Sequence, residues 1–174
     1  METNGTPVTT TSVGLRYGLL AGLVGVIISF GQFAAHMENS PLKYLGYVVL
    51  AGGIVLAMRQ FKASNYGFMS FGQGVGIGTL VSAVVGVISA VFAYAYFNII
   101  DPEIVGRMVE KARADMEARG GASEEQIDQG IAMMSKFMNG PLMMVIVVLS
   151  SVLLGVLLSL VFSAFIKHSK PEFE

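Results

Sequence analysis

The sequence predicts an all-α membrane protein with four transmembrane helices and an extramembrane amphipathic helical hairpin between spans 3 and 4. Three observations carry this. Of 174 residues, 53% are hydrophobic and only 13% charged, with a mean hydropathy of +0.66, whereas soluble domains carry about 25% charged residues. Four apolar runs each approach the ~20 residues that cross ~30 Å of hydrocarbon at ~1.5 Å per residue. A single long charged segment separates the third run from the fourth.

A polar, Thr-rich tail occupies residues 1–12. The first span is residues 13–35, Val13 to Ala35, whose one charge, Arg16, lies near enough to its end to snorkel. It is expected to be a true span rather than a cleaved leader, because no basic residue precedes it and its apolar core is too long. His36 to Ser40 is a turn. The second span, residues 42–58, is the shortest and opens after Pro41, a favourable helix start. Arg59 to Phe71 reads as a basic and aromatic connection at the membrane interface. The third span, residues 72–97, and the fourth, residues 141–166, contain no charge at all. A tail of residues 167–174 follows.

Residues 101–138 differ in kind. Between Asn98 and Gly140 five bases (Arg107, Lys111, Arg113, Arg119, Lys136) face eight acids. Asp101-Pro102 reads as a helix N-cap with proline in the first helical position. Ile104, Val105, Met108, Val109, Ala112 and Met116 then recur at helical spacing. Glu103 with Arg107, Lys111 with Asp115, and Asp115 with Arg119 are spaced for i,i+4 pairing. Gly120-Gly121 ends this helix, Ser123 with Gln126 forms a capping box, and Ile127, Ile131, Met134 and Met138 continue a second stripe. The two stripes are expected to cover each other and the outer ends of the spans. The segment's net negative charge disfavours lying flat on a membrane. An adaptable partner surface formed by Met108, Met116, Ile127, Ile131, Met134 and Met138 is the remaining reading.

Inside the membrane, small residues recur every fourth position: Gly14, Gly18 and Gly22 in the first span; Gly74, Gly78, Ser82, Gly86 and Ala90 in the third; Ser151, Gly155, Ser159 and Ser163 in the fourth. In lipid, where apolar surface gives helices little reason to associate, such faces permit close backbone approach. They predict a tight bundle and allow contact between copies of the chain.

Chemistry is sparse. No ionisable residue lies in the middle of a span, where one would point to ion or proton transport. Gln32, Gln73, Thr79 and the serines are expected to bond between helices. Gly72 to Gly78 lacks the Lys-Ser/Thr ending of a phosphate loop. With no cysteine, and with His36 and His168 assigned to opposite sides, no metal site is expected. Methionines at 133, 134, 138, 143 and 144 could in principle hold Cu(I), but methionine on helices is far more often packing material. No catalytic residue and no cofactor are expected. A net charge of −1 offers nothing to nucleic acid.

The stretches Tyr66 to Gln73, Tyr96-Phe-Asn-Ile-Ile-Asp-Pro-Glu103 and Ser123 to Ile127 resemble an uncharacterised family of bacterial four-span membrane proteins, domain of unknown function four-one-nine-nine. The resemblance covers nearly the whole chain. It implies the same four-span plan in a bacterial cytoplasmic (inner) membrane, and no activity. Bases at 59, 62, 167 and 170, at span ends, lead us to expect cytoplasmic termini, although the two sides carry five bases against six. The expected role is a non-enzymatic accessory or scaffold subunit, its partners being the lipid bilayer and other membrane proteins or further copies. The alternative is a small oligomeric transporter or channel for a neutral solute.

Overall fold

The computed structural model describes residues 8–37, 40–138 and 140–168. Most of the expected terminal tails, Lys170 and Asn139 therefore lie outside the described residues. Among the described residues six α-helices follow in order: α1 (Thr10–Ala34), α2 (Leu45–Ser64), α3 (Phe71–Ala95), α4 (Ile104–Arg119), α5 (Glu124–Met138) and α6 (Pro141–Ile166). Four of them, α1, α2, α3 and α6, are long and apolar enough to cross a membrane once the turns adjoining α2 and α3 are included. Among the described residues the β geometry amounts to one bridge, Met69 to His168.

The helix ends depart from the apolar runs for local reasons. The Thr9 hydroxyl accepts the Ser12 N–H at 3.0 Å, which starts α1 ahead of Val13. A 3₁₀ turn, Pro41–Tyr44, leads into α2, which runs six residues past Met58. Nothing in Arg59 to Ser64 breaks a helix. The stop comes at Asn65, Tyr66 and Gly67, the last two at φ 53° and 81°. Arg59 and Lys62, expected in a connection, thus lie on the last turns of a helix. Ser70 and Gln73 form a reciprocal capping box on α3, with N–H to side-chain distances of 3.2 and 2.8 Å.

The bundle is organised around α3. Its small-residue face meets α6 antiparallel in four rungs, each pairing a glycine with a serine: Gly86 with Ser151, Ser82 with Gly155, Gly78 with Ser159, and Gly74 with Ser163. A Cβ on Gly155 would run into Ser82, and one on Gly78 would lie 2.7 Å from the Ser159 Cβ. The seam is sealed sterically. Its one interhelical hydroxyl bond, Ser151 Oγ donating to Ser82 O at 2.9 Å, is of a kind that contributes only about 0.6 kcal/mol. Ser82 and Ser159 turn their hydroxyls to carbonyls of their own helices, and Ser163 Oγ is buried without a partner among the described residues.

The α1 ladder is used differently. Its glycines receive bulky side chains from a second face of α3: Gly14 takes Leu80, Gly18 takes Val84 and Gly22 takes Ile88. α1 and α3 run parallel, glycine grooves holding aliphatic knobs. α2 enters through Gly53, where a Cβ would lie 2.8 Å from that of Ala21. Leu50, Ile54, Ala57, Met58, Phe61, Ile77 and Val81 form the core between them.

Gly78 and Gly76 lie two residues apart on α3, but only Gly78 has no space for a methyl group. Gly78→Ala is expected to destabilise the bundle by about 1–3 kcal/mol, the range for overpacking. Gly76→Ala is expected to cost nothing, since alanine is the better helix former. Thermal unfolding of both variants in detergent checks the difference.

Candidate functional site

Two features stand out from the bundle: the charged hairpin mounted on one end, and a cleft in the apolar region beneath it. The mount begins with Tyr96–Ile100, which continues α3 as a π-helical turn closed by the Asp101 N–H donating to Tyr96 O at 2.9 Å. Pro102 cannot extend the helix, and α4 starts afresh at Ile104. The expected N-cap at Asp101 followed by a helical Pro102 is therefore corrected: the helix begins two residues later, because the wide turn must close first. Tyr96 itself continues the α1-facing row of Val84, Ile88 and Phe92 at i+4 spacing and is buried, 3% exposed, on Phe33 of α1 at 5.0 Å between ring centroids and Phe92 at 5.7 Å. Ile104 and Val105 are buried against the same cluster, with Met108, Val109 and Met138 packed around it.

Asp101 locks this mount electrostatically. Arg107 donates to its two carboxylate oxygens at 3.3 and 2.6 Å. That bond holds the Asp101 carboxyl below its usual value despite partial loss of solvent; the Arg107 charge, His36 and the Glu103 amide act in the same direction. Lys111 bridges to Asp115, as its spacing suggests, and lowers that carboxyl in the same way. Across the hairpin, Arg113 bridges to Asp128. Gly120 and Gly121 turn the chain at φ 65° and 86°, and Ser123 with Gln126 caps α5 reciprocally.

The apolar stripes divide between inside and outside. Met108 and Met138 pack onto the aromatic cluster and Ile127 is buried; Ile131 and Met134 are half-buried. Met116 remains 37% exposed, its thioether lying over Gly130. Met133, 62% exposed, and Phe137, 39% exposed, follow Gly130 at helical spacing and extend that stripe outward. Neither Met133 nor Phe137 belonged to the expected partner surface, because spacing along one helix cannot show which of its faces the neighbour covers.

The cleft arises because α2 and α6 meet at one end only. Far from the hairpin, Lys62 Nζ donates to Ile166 O at 2.9 Å, and Met69 and His168 exchange backbone hydrogen bonds at 2.9 Å each. His168 also stacks on Phe68 at 5.5 Å. Toward the hairpin, a cavity of about 740 Å³ has its walls on α2 and α6 and its floor on α1 and α3. Leu50, Leu154 and Leu158 supply apolar wall, while Ser29, Ser89 and Ser150 add hydroxyls, and among the described residues no acid or base lines it. Small residues at Gly25, Gly46 and Ala51 leave the space open.

The packing residues named from sequence are brought together pairwise in the seam and in the α1 groove, and Ala90 is buried further along the same α3 face. The isolated polar groups are not interhelical inside the bundle. Gln73 caps its own helix, Thr79 bonds to Val75 O, and Gln32 donates to Leu42 O at 2.6 Å, pinning the turn before α2. Among the described residues no group of three or more His, Cys, Asp or Glu could hold a metal ion. A family described as a protein of unknown function (DUF4199) matches residues 16–168. No curated protein and no solved structure matches the chain.

Asp101 generates a pH dependence of definite sign. A carboxyl lowered in the folded state contributes stability above its ordinary pKa, 3.8, and loses it as pH falls through the lower folded value. The mount is therefore expected to be insensitive to pH near neutrality and to loosen only in strong acid. Asp101→Asn should loosen it already at pH 7, seen as modestly faster amide exchange in α4 with α3 unchanged.

Proposed function

The chain belongs to this DUF4199 family of unknown function, and we propose that it is a non-enzymatic accessory or scaffold subunit of a bacterial inner membrane. In this reading the hairpin projects from the outer face and both termini are cytoplasmic. The observation that carries it is the exposed Met116, Met133 and Phe137 stripe on a hairpin anchored to the span ends through Ile104, Val105, Met108, Val109 and Met138. A fixed base and an adaptable methionine-rich outer face suit a protein contact. The alternative, an oligomeric pore for a neutral solute, would need polar faces free to line a passage. Ser151, Ser159 and Ser163 of α6 are instead packed against α3, and the serines of the cleft, Ser29, Ser89 and Ser150, are scattered among apolar residues rather than aligned on one face, which favours the accessory reading.

The test is extraction in mild detergent through a C-terminal tag. A foreign membrane component is expected in stoichiometric yield, lost in the Met133→Glu, Phe137→Glu double variant while the melting temperature holds. A pure homo-oligomer, unaffected by those substitutions, would overturn the proposal and make solute flux the next assay.

Orientation can be read separately, since the chain has no cysteine. A cysteine replacing Ser123, exposed in the hairpin, is expected to react with an impermeant maleimide in spheroplasts. One replacing Ser64, exposed at the end of α2, should react only after lysis. The reverse pattern would invert the topology.

A further inference from the structure

We propose that the cleft between α2 and α6 is a binding site for one anionic glycerophospholipid of the surrounding bilayer, with an acyl chain in the cleft and the phosphate at Lys43. The dimensions suit a chain from one leaflet. Along α6 the lining runs from Ile146 to Leu158, about 18 Å at 1.5 Å per residue, against ~15 Å for half of a ~30 Å hydrocarbon core. The volume, about 740 Å³, lies within the ~300–1,000 Å³ typical of ligand pockets. The walls are mainly apolar and carry no charge, a few scattered serine hydroxyls apart, so the cleft suits a hydrocarbon chain better than an ion.

The charge complement, Lys43, lies one helical turn beyond the lining residues, on the hairpin side. Lys43 precedes the lining residues Gly46 and Tyr47 by three and four positions, one turn above them. Its ammonium lies 5.4 Å from the centroid of the Tyr44 ring, which is in turn 6.2 Å from the Tyr47 ring. Tyrosine and lysine so placed at the end of a span belong at headgroup depth. The turn that carries Lys43 is fixed to α1 through Gln32 and Leu42. Among the described residues Lys43 has no ion-pair partner; Asp115, the carboxylate that senses its charge, is already bridged by Lys111. The chain thus carries a cation at headgroup depth one turn beyond an apolar slot, the arrangement an anionic lipid requires.

The experiment uses the full chain in nanodiscs containing phosphatidylglycerol and phosphatidylcholine of identical acyl chains, released into the gas phase for native mass spectrometry. One phosphatidylglycerol per chain is expected to stay bound in preference to phosphatidylcholine. Lys43→Gln should reduce that preference about fivefold, the share of a single lysine near the surface. Ser150→Phe, which fills the cleft from the α6 wall, should abolish retention of both lipids while the melting temperature is kept. Equal retention of the two lipids, an adduct that survives Ser150→Phe, or a protein dimer carrying no lipid would each overturn the proposal. A second copy or a partner's helix in the cleft would give the last of these outcomes.

Discussion

Close approach of α3 and α6 is the constraint on which the rest of the structure depends. In hydrocarbon the usual drive to bury apolar surface is absent, so helices associate where their backbones can come near enough for dense dispersion contact. The four glycine–serine rungs provide that approach along about half of each helix. With one face committed to α6, α3 turns its aliphatic side chains, Leu80, Val84 and Ile88, toward α1, and these in turn require the glycine groove at 14, 18 and 22. A single helix therefore dictates two quite different interfaces, one smooth and one ridged.

The asymmetry along the bundle axis follows from how α2 is held. It has no small-residue ladder of its own, and it is tied to α6 mainly at the end away from the hairpin. There Lys62, the Met69–His168 bridge and the buried Met58 and Phe61 close the gap. At the other end α2 is fastened to α1 instead, through Gln32 and Leu42. The α2 and α6 walls then part beneath the hairpin and leave the cleft. Gln32, Gln73, Thr79, Ser82, Ser151 and Ser159 are consumed by this architecture: they cap helices, return to carbonyls one turn back, or join neighbouring elements. What stays available for interaction lies on the hairpin side, in the outer Met116–Phe137 stripe and at Lys43.

The hairpin shows how a local irregularity decides a global arrangement. Continued as an α-helix, Tyr96 to Ile100 would carry α3 straight on. Tyr96, at its start, stays on Phe33 and Phe92, while the π turn shifts the facing of every residue after it and brings Asp101 to where it meets Arg107. The Tyr-Phe-Asn-Ile-Ile-Asp-Pro stretch has this structural task. Its aromatic residues and Pro102 are legible in sequence; the extra residue in the turn is not, because no periodicity of 3.6 reveals where a helix widens.

Several features follow from sequence alone because they rest on local physics. Apolar length marks the four long helices, the Gly120-Gly121 pair marks the hairpin turn, and Ser123 with Gln126 marks the start of α5. The small-residue faces were equally visible, since spacing places them on one side of a helix whatever the neighbour. Tertiary structure alone decided which faces meet: that the ladders of α3 and α6 interlock while α1's receives bulky knobs, that Gly53 belongs to the core, and that Gln73 and Gln32 are spent on helix ends. It also decided that Met133 and Phe137 join Met116 as exposed apolar residues of the hairpin, whereas Met108 and Ile127 are not exposed. The physical reason is the same in each case. A helix's sequence specifies its own surface, whereas burial, clefts and exposure are properties of two surfaces in a particular register.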